Sequence, residues 1–347
     1  MRLIINTIQI VYYPSDNLVA CCRMDKRDRL EQYQEKRKMK KDLLSIADLN
    51  RQGIEYLIGQ AWRMKQEGAP PLLSGKTLAL LFEKPSLRTR VSFDIAMHQL
   101  GGHSIYLSPE EVGLGKRELV ADVARVLSRY VDAIAVRTFS QETLRILASH
   151  SSMPVINALS DLEHPCQALS DLLTIYEKKG KLSGLTLAFI GDGNNVANSL
   201  LLAASLTGMN FHIASPPGYE IKKEVLNRGK RFAARSGSQI KLTSDPYEVA
   251  KGADIVYTDV WASMGQETEA KKRRLAFSGY QVDNRLLSSA KGDVLFMHPL
   301  PAHHGEEISA GLLDDPRSVV FDQAENRLYL QKALLVKLLS NPNVSCK

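Results

Sequence analysis

Cysteine is scarce in this chain. The 347 residues contain four, Cys21, Cys22, Cys166 and Cys346. Their spacing fits neither paired zinc ligands nor a disulfide framework, so the expectation is a cytoplasmic protein in a reducing environment, with no metal. Long apolar runs are missing too. None reaches the roughly 20 residues of a membrane span, and the apolar residues of 1–20 are interrupted by Pro14, Ser15, Asp16 and Asn17, which gives no signal-peptide layout. A nucleic-acid footprint is equally absent. The net charge is +7 and the pI near 9.1, but residues 1–38 hold eight Lys and Arg against five Asp and Glu. Three of the seven charges therefore sit in that leader, and no basic stripe interleaved with aromatics follows it.

What is present is a composition of 44% hydrophobic and 24% charged residues, ordinary for a globular protein and long enough for two domains. Residues 1–38 read as a flexible extension, and a foldable core begins near Met39. Short apolar runs then alternate with segments of helical periodicity. Strands are expected at Thr77–Leu81, Ser104–Leu107, Ala133–Val136, Val155–Ala158, Thr186–Ile190, Phe211–Ala214, Ile240–Leu242, Ile255–Thr258, Val294–Met297 and Val319–Phe321. Helices fall between them, including Asn284–Ala290 and a last one at Ala324–Leu339. The stretch Gly180 to Gly184 reads as a boundary. The fold class is α/β, two doubly wound parallel-sheet domains with the active site in the cleft between them. The expected division is 39–180, completed by 324–340, and 185–322.

In such sheets ligands gather at the carboxyl ends of strands, and those ends are chemically loaded here. After the first strand comes Glu83-Lys84-Pro85-Ser86-Leu87-Arg88-Thr89-Arg90, where Ser86 suits a helix N-cap and two guanidinium groups stand beside free N–H groups. An oxyanion, above all a phosphate, fits that start. Later strand ends carry Arg137-Thr138, His164-Pro165-Cys166-Gln167, Gly191-Asp192-Gly193-Asn194-Asn195, Asp259 to Gly265, and His298-Pro299-Leu300-Pro301. Each has a plainer explanation alone: Arg137 as a surface arginine, His164 or Asp259 as a helix cap, Met264 as core filler. Their recurrence at successive strand ends is poorly explained by coincidence.

The turn at Gly191 resembles a dinucleotide fingerprint, which also requires an acid on the ribose at the end of the next strand. No Asp or Glu occurs between Asn194 and Tyr219, so a nicotinamide cofactor is not expected. Asn194 and Asn195 offer amides to a small polar ligand instead.

Taken together, Ser86-Leu87-Arg88-Thr89-Arg90, His164-Pro165-Cys166-Gln167, Gly191 to Asn195, the Asp259 to Gly265 segment and His298 to Glu307 resemble the carbamoyltransferase family, in its ornithine branch. The resemblance runs over about residues 39–340. It implies transfer of the carbamoyl group of carbamoyl phosphate to the δ-amine of L-ornithine, without cofactor or metal, in arginine metabolism, by a homotrimer or a multiple of trimers. By similarity, Ser86, Leu87, Arg88 and Thr89 cradle the phosphate, and Arg327 returns to it from the last helix. Arg137, His164 and Thr89 donate to the carbonyl oxygen, and Gln167 holds the carbamoyl end. Carbonyls near Pro299 and Leu300 accept from the carbamoyl NH2, with Leu300–Pro301 a candidate cis peptide. Asn195, Asp259, Ser263 and Met264 bind ornithine, and the segment around Met264 closes over it.

Two positions depart from the family pattern. The ornithine enzymes usually carry a cysteine where this chain has Pro299, so His298 and Asp259 are expected to take more of the proton handling, with turnover altered rather than lost. Many relatives place a polar side chain at Gly113, reaching a neighbouring subunit's site; here Lys116 or backbone is the available substitute. The competing readings are a carbamoyltransferase for a related amine such as putrescine, and a low-activity paralogue motivated by Pro299.

Overall fold

The computed structural model describes residues 41–115, 117–262 and 267–340. The expectations placed on residues 1–38, Met39, Lys116, Ser263, Met264 and Gly265 lie outside them.

The first unit runs α1 (Arg51–Glu67), β1 (Thr77–Phe82), α2 (Leu87–Gln99), β2 (His103–Leu107), α3 (Pro109–Val112), α4 (Val120–Leu127), β3 (Ala133–Arg137), α5 (Gln141–His150), β4 (Val155–Leu159) and α6 (Pro165–Lys179). The second runs β5 (Thr186–Ile190), α7 (Asn195–Thr207), β6 (Asn210–Ala214), α8 (Lys223–Ser236), β7 (Ile240–Thr243), α9 (Pro246–Ala250), β8 (Ile255–Thr258), α10 (Ala270–Ala276), α11 (Asn284–Leu287) and β9 (Leu295–Met297). The last helix, α12, spans Val320–Leu339.

Every strand pairing is parallel. The sheet orders are β2-β1-β3-β4 and β7-β6-β5-β8-β9. Strands such as Ala133–Arg137 and Ile255–Thr258 are buried along their whole length, as helices on both faces require. Strand order reverses between β1 and β3 in one sheet and between β5 and β8 in the other. A crevice opens at the carboxyl ends at such a reversal. In register, Phe82 faces Arg137 and Ile190 faces Thr258, so Ser86 and Arg137 leave one crevice together, and Gly191 and Asp259 leave the other.

One apolar core joins the two units. Leu169, Leu172 and Leu173 of α6 and Leu200, Leu201 and Ala204 of α7 belong to it, with Phe82 and Phe93 on one side and Phe189 and Phe211 on the other. Helix α12 adds Leu330, Ala333, Leu334 and Leu335, and it packs on α1, α6 and α2. The chain thus returns from the second sheet to complete the first unit.

Two sequence expectations change. The strand expected at Val319–Phe321 is the start of α12. Pairing with β9 is limited to a bridge from Ser318 to Phe296, and the Val319 carbonyl already accepts the Gln323 N–H at 2.8 Å. The β-branched pair Val319-Val320 looked strand-like because both side chains are buried, not because the backbone is extended. The helix expected at Asn284–Ala290 stops at Leu287, where the N–H groups of Ser289 and Ala290 bond back three residues instead of four. Helix α10, rich in Lys and Arg, was not anticipated.

Candidate active site

Ser86 caps α2: its hydroxyl accepts the Thr89 N–H at 3.3 Å. That leaves first-turn N–H groups and the positive helix end open toward the cleft. Arg88 follows, half-buried. Arg137 ends β3, and Arg327 enters from the second turn of α12, donating from Nη2 to Thr89 Oγ1 at 2.5 Å. Burial together with the neighbouring guanidinium groups brings Arg137 down to about 10; Arg327, likewise mainly through burial, comes down to about 10. Both remain cations at neutral pH, and the Nε atoms of both are buried without a partner. Among the described residues no carboxylate forms an ion pair with any of the three. Buried cations left without a counter-ion are costly, and an anion between them would remove that cost. Arg90 behaves differently. It is exposed and stacks over the Tyr106 ring at 3.9 Å, outside the cleft wall.

His164 sits at the N-terminus of α6, its backbone held from two directions. Its N–H donates to Ser199 Oγ at 2.9 Å, and the adjacent Glu163 carboxylate accepts Ser45 Oγ at 2.5 Å and the Ile46 N–H at 3.0 Å. Burial first, then Arg327 and Arg137, hold the imidazole well below the usual histidine range. A neutral ring has one N–H donor to offer, and Nδ1 is buried without a partner. One turn on, Gln167 donates from Nε2 to Asp171 Oδ1 at 2.8 Å while its Oε1 is buried and unpartnered.

Across the cleft the Gly191 turn is shaped by close contact. A Cβ at Gly193 would lie 2.4 Å from the backbone of Glu220 and Ile221, so only glycine fits. Asn194 caps α7 through its Oδ1 and donates from Nδ2 to Asp259 Oδ2 at 2.8 Å. Burial pushes the Asp259 carboxyl up, so a cation beside it would stabilise its charged form. Asn195 donates from Nδ2 to the Ser160 carbonyl at 2.6 Å. Arg273 of α10 fixes the same turn, donating to Asp192 Oδ2 at 2.6 Å and to the Trp261 carbonyl at 3.0 Å.

These groups line one cleft of about 1370 Å³ between the two sheets. Of the residues anticipated from the sequence, Ser86, Leu87, Arg88, Arg137, His164, Gln167 and Arg327 form one wall, and Asn195, Asp259, Pro299 and Leu300 the other. Two stand behind the walls. Thr89 is fully buried under Arg327. His298 is fully buried, its Nδ1 accepting the Leu300 N–H at 2.9 Å and its Nε2 lying 3.3 Å from Glu307 Oε1. Its ring therefore braces the Leu300 turn rather than facing the cleft. Leu300–Pro301 is cis, as expected, and Leu300 has φ +54°. Ser263 and Met264 lie outside the described residues. At Gly113, φ is +55° and an added Cβ would lie 2.8 Å from the Arg117 Cβ, so a side chain there needs a different local backbone.

Sequence reasoning missed Asp171, Tyr257, Gln323, Ser199 and Arg273. Asp171 had a signal, since it lies one helical turn after Gln167. The others come together only through the fold.

Residues 41–177 match the carbamoyl-P binding domain, and residues 183–338 the Asp/Orn binding domain, of aspartate/ornithine carbamoyltransferase. The chain is 55% identical over 304 residues to ornithine carbamoyltransferase of Anoxybacillus flavithermus, covering 86% of this chain and 96% of that one. It is 52% identical over 299 residues to the Bacillus subtilis protein of the same name, covering 86% and 94%. Among solved structures, ornithine carbamoyltransferase from Pyrococcus furiosus superposes with a TM-score of 0.83 at 49% identity, covering 86% of this chain and 96% of that one.

Proposed function

The chain belongs to the aspartate/ornithine carbamoyltransferase family, and on that premise we propose that it transfers the carbamoyl group of carbamoyl phosphate to the δ-amine of L-ornithine, giving L-citrulline and phosphate. The observation that carries this is the cleft wall itself: three guanidinium groups without a counter-ion, beside a neutral histidine and a glutamine oxygen without a donor. A dianionic leaving group, a carbonyl and an NH2 answer those features in turn.

In the reaction the neutral amine nitrogen forms a bond to the carbonyl carbon and negative charge builds on the carbonyl oxygen. Arg137 and the His164 N–H donate to that oxygen, most strongly when the charge is greatest. The C–O bond to phosphate then breaks, and its electron pair leaves on a phosphate held by Ser86, the Leu87 and Arg88 N–H groups, and the Arg88 and Arg327 guanidinium groups. As the tetrahedral centre collapses the nitrogen gives up its proton to the departing phosphate, which leaves as hydrogen phosphate. Positioning and electrostatics supply the rate. Gln167 Oε1 and the carbonyls near Pro299 and Leu300 accept from the carbamoyl NH2. Asp259 pairs with the α-ammonium group of ornithine, with Asn195, Ser263 and Met264 completing that subsite. His298 acts by holding the Leu300 turn.

This reading places the protein in arginine metabolism, in the cytoplasm, as a homotrimer. Leu87, Val91 and Ile95 support the assembly: they form an exposed apolar stripe at four-residue intervals on α2, opposite the buried Phe93 and Met97.

The test is citrulline formation from carbamoyl phosphate with ornithine, putrescine, N-acetylornithine and aspartate offered separately. Ornithine is expected to be the preferred acceptor, because putrescine has no α-ammonium group for Asp259. No carbamoylation of ornithine would sink the reading. The one observation favouring reduced activity is Pro299, which puts a ring in the cleft wall at the position where the family resemblance implies a cysteine. Replacing Pro299 with Cys is expected to change kcat with ornithine; unchanged kinetics would show that the position is unimportant.

A further inference from the structure

Gln167 can present either end of its amide to the cleft, and the two ends suit opposite ligands. Its oxygen would accept from an NH2 group, and its nitrogen would donate to a carbonyl. The structure assigns this choice to Asp171, a positioning residue one helical turn away that locks the amide with its oxygen toward the substrate. The inference rests on the carbamoyl phosphate reading above.

Donors and acceptors around Asp171 fix the orientation. Oδ1 of Asp171 accepts in either protonation state, because it already takes two N–H groups and a carboxyl proton would sit on Oδ2. Gln167 Nε2 and Gln323 Nε2 both donate to Asp171 Oδ1 at 2.8 Å, and the Tyr257 hydroxyl donates to Oδ2 at 3.0 Å. Reversing the Gln167 amide would set its oxygen against a carboxylate oxygen, with no proton between them. The remaining Oε1 is buried, lines the cleft and has no partner. It is therefore an acceptor without a donor, which is what a carbamoyl NH2 supplies and a phosphate does not.

The lock is built from both units. Asp171 and Gln167 lie on α6 and Tyr257 on β8, its ring stacked on Phe189 at 5.5 Å. Gln323 lies on α12, and its own Oε1 accepts the His298 N–H at 2.9 Å. Gln323 Nε2 is also 3.0 Å from the Tyr257 oxygen. One buried chain of hydrogen bonds thus links the Gln167 amide to the strand end that carries Pro299 and Leu300. Both acceptor groups proposed for the NH2, on opposite walls, are held by the same network.

The experiment compares dissociation constants for carbamoyl phosphate and for inorganic phosphate, which lacks the NH2, in the intact protein and in Asp171→Ala and Asp171→Asn. In Asp171→Ala carbamoyl phosphate should bind about tenfold more weakly, the size of one oriented hydrogen bond, with phosphate within about twofold of the parent. Asp171→Asn can keep its oxygen toward the two glutamines and turn its NH2 to the Tyr257 hydroxyl, so it should stay within about threefold for both ligands. Equal weakening of both ligands in Asp171→Ala would indicate a merely structural role and overturn the inference. So would unchanged carbamoyl phosphate binding, or Asp171→Asn behaving like Asp171→Ala. If Asp171→Ala does not fold, Tyr257→Phe keeps the ring and removes one donor. A loss of about threefold confined to carbamoyl phosphate is then expected, and no loss overturns the inference. Failure of the parent protein to bind carbamoyl phosphate would instead refute the proposed function.

Discussion

Arg88, Arg137 and Arg327 repel one another across the cleft, and no carboxylate among the described residues is in ion-pair contact with them, so their like charge works against stability unless an anion lies between them. Removing one charge should relieve that repulsion. Arg137→Met is expected to leave the thermal midpoint of the ligand-free protein unchanged or raised, by the equivalent of about 1–3 kcal/mol at most. It should also abolish most of the stabilisation that carbamoyl phosphate gives the parent. A midpoint well below the parent would show that the arginine supports the fold rather than the ligand. Asp171 sets a pH signature. Burial raises its carboxyl, and although Gln167, Gln323 and Tyr257 pull it down, it stays at about 7, against roughly 3.9 in an unfolded chain. Between those values the folded state binds the extra proton, so this group's contribution to stability falls as pH rises from about 4 to 7 and is level above that. In Asp171→Asn that slope disappears. The midpoint difference, variant minus parent, should grow from pH 4 to 7 and then stay constant; a difference flat across the whole range would contradict the assignment. At this scale the sequence is legible where chemistry is concentrated at strand ends, as at Arg88, Arg137, His164 and Gln167. It is mute where partners are remote. Gln323 reaches Asp171 across 152 positions and Tyr257 across 86, and no local pattern marks either.

Helix α12 shows how one element serves both fold and site. Its Leu330, Leu334 and Leu335 fill the shared core, its Asn326 donates from Nδ2 to Thr174 Oγ1 at 3.0 Å and to Glu177 Oε2 at 2.7 Å, and its Arg327 then reaches Thr89. Core packing and cleft charge are therefore coupled through one rigid rod. Leu334→Ala is expected to cost about 2–5 kcal/mol of stability and to weaken phosphate binding as well, because Arg327 lies two turns away on the same helix. Chemical denaturation with phosphate titration measures both. Lost stability with unaltered phosphate affinity would uncouple them. The helix body was legible from its periodicity, but its first turn was not. Val319 and Val320 have the composition of a strand and the burial of one, and only the Val319 carbonyl bonded to the Gln323 N–H settles the backbone as helical.

For the whole molecule, the parallel order of both sheets followed from short buried strands alternating with helices, and the reversals of strand order put the loaded turns where a cleft must open. The order of strands within each sheet, and the return of α12 to the first unit, are tertiary facts that alternation alone does not specify. The surface carries its own prediction. Leu87 is 75% exposed and Val91 48%, an apolar stripe that would suit the subunit contact of the proposed trimer. If the proposed trimer forms through this stripe, Val91→Lys shifts sedimentation toward monomer; an assembly unchanged by it would place the interface elsewhere. The central claim is that this cleft holds phosphate as a leaving group while a neutral amine takes the carbamoyl carbon. It is tested most directly by measuring citrulline and phosphate released from ornithine and carbamoyl phosphate in the same reaction, from first turnover onward. The expected result is one citrulline for each phosphate above the spontaneous background; phosphate released without citrulline, or neither product above background, would contradict it.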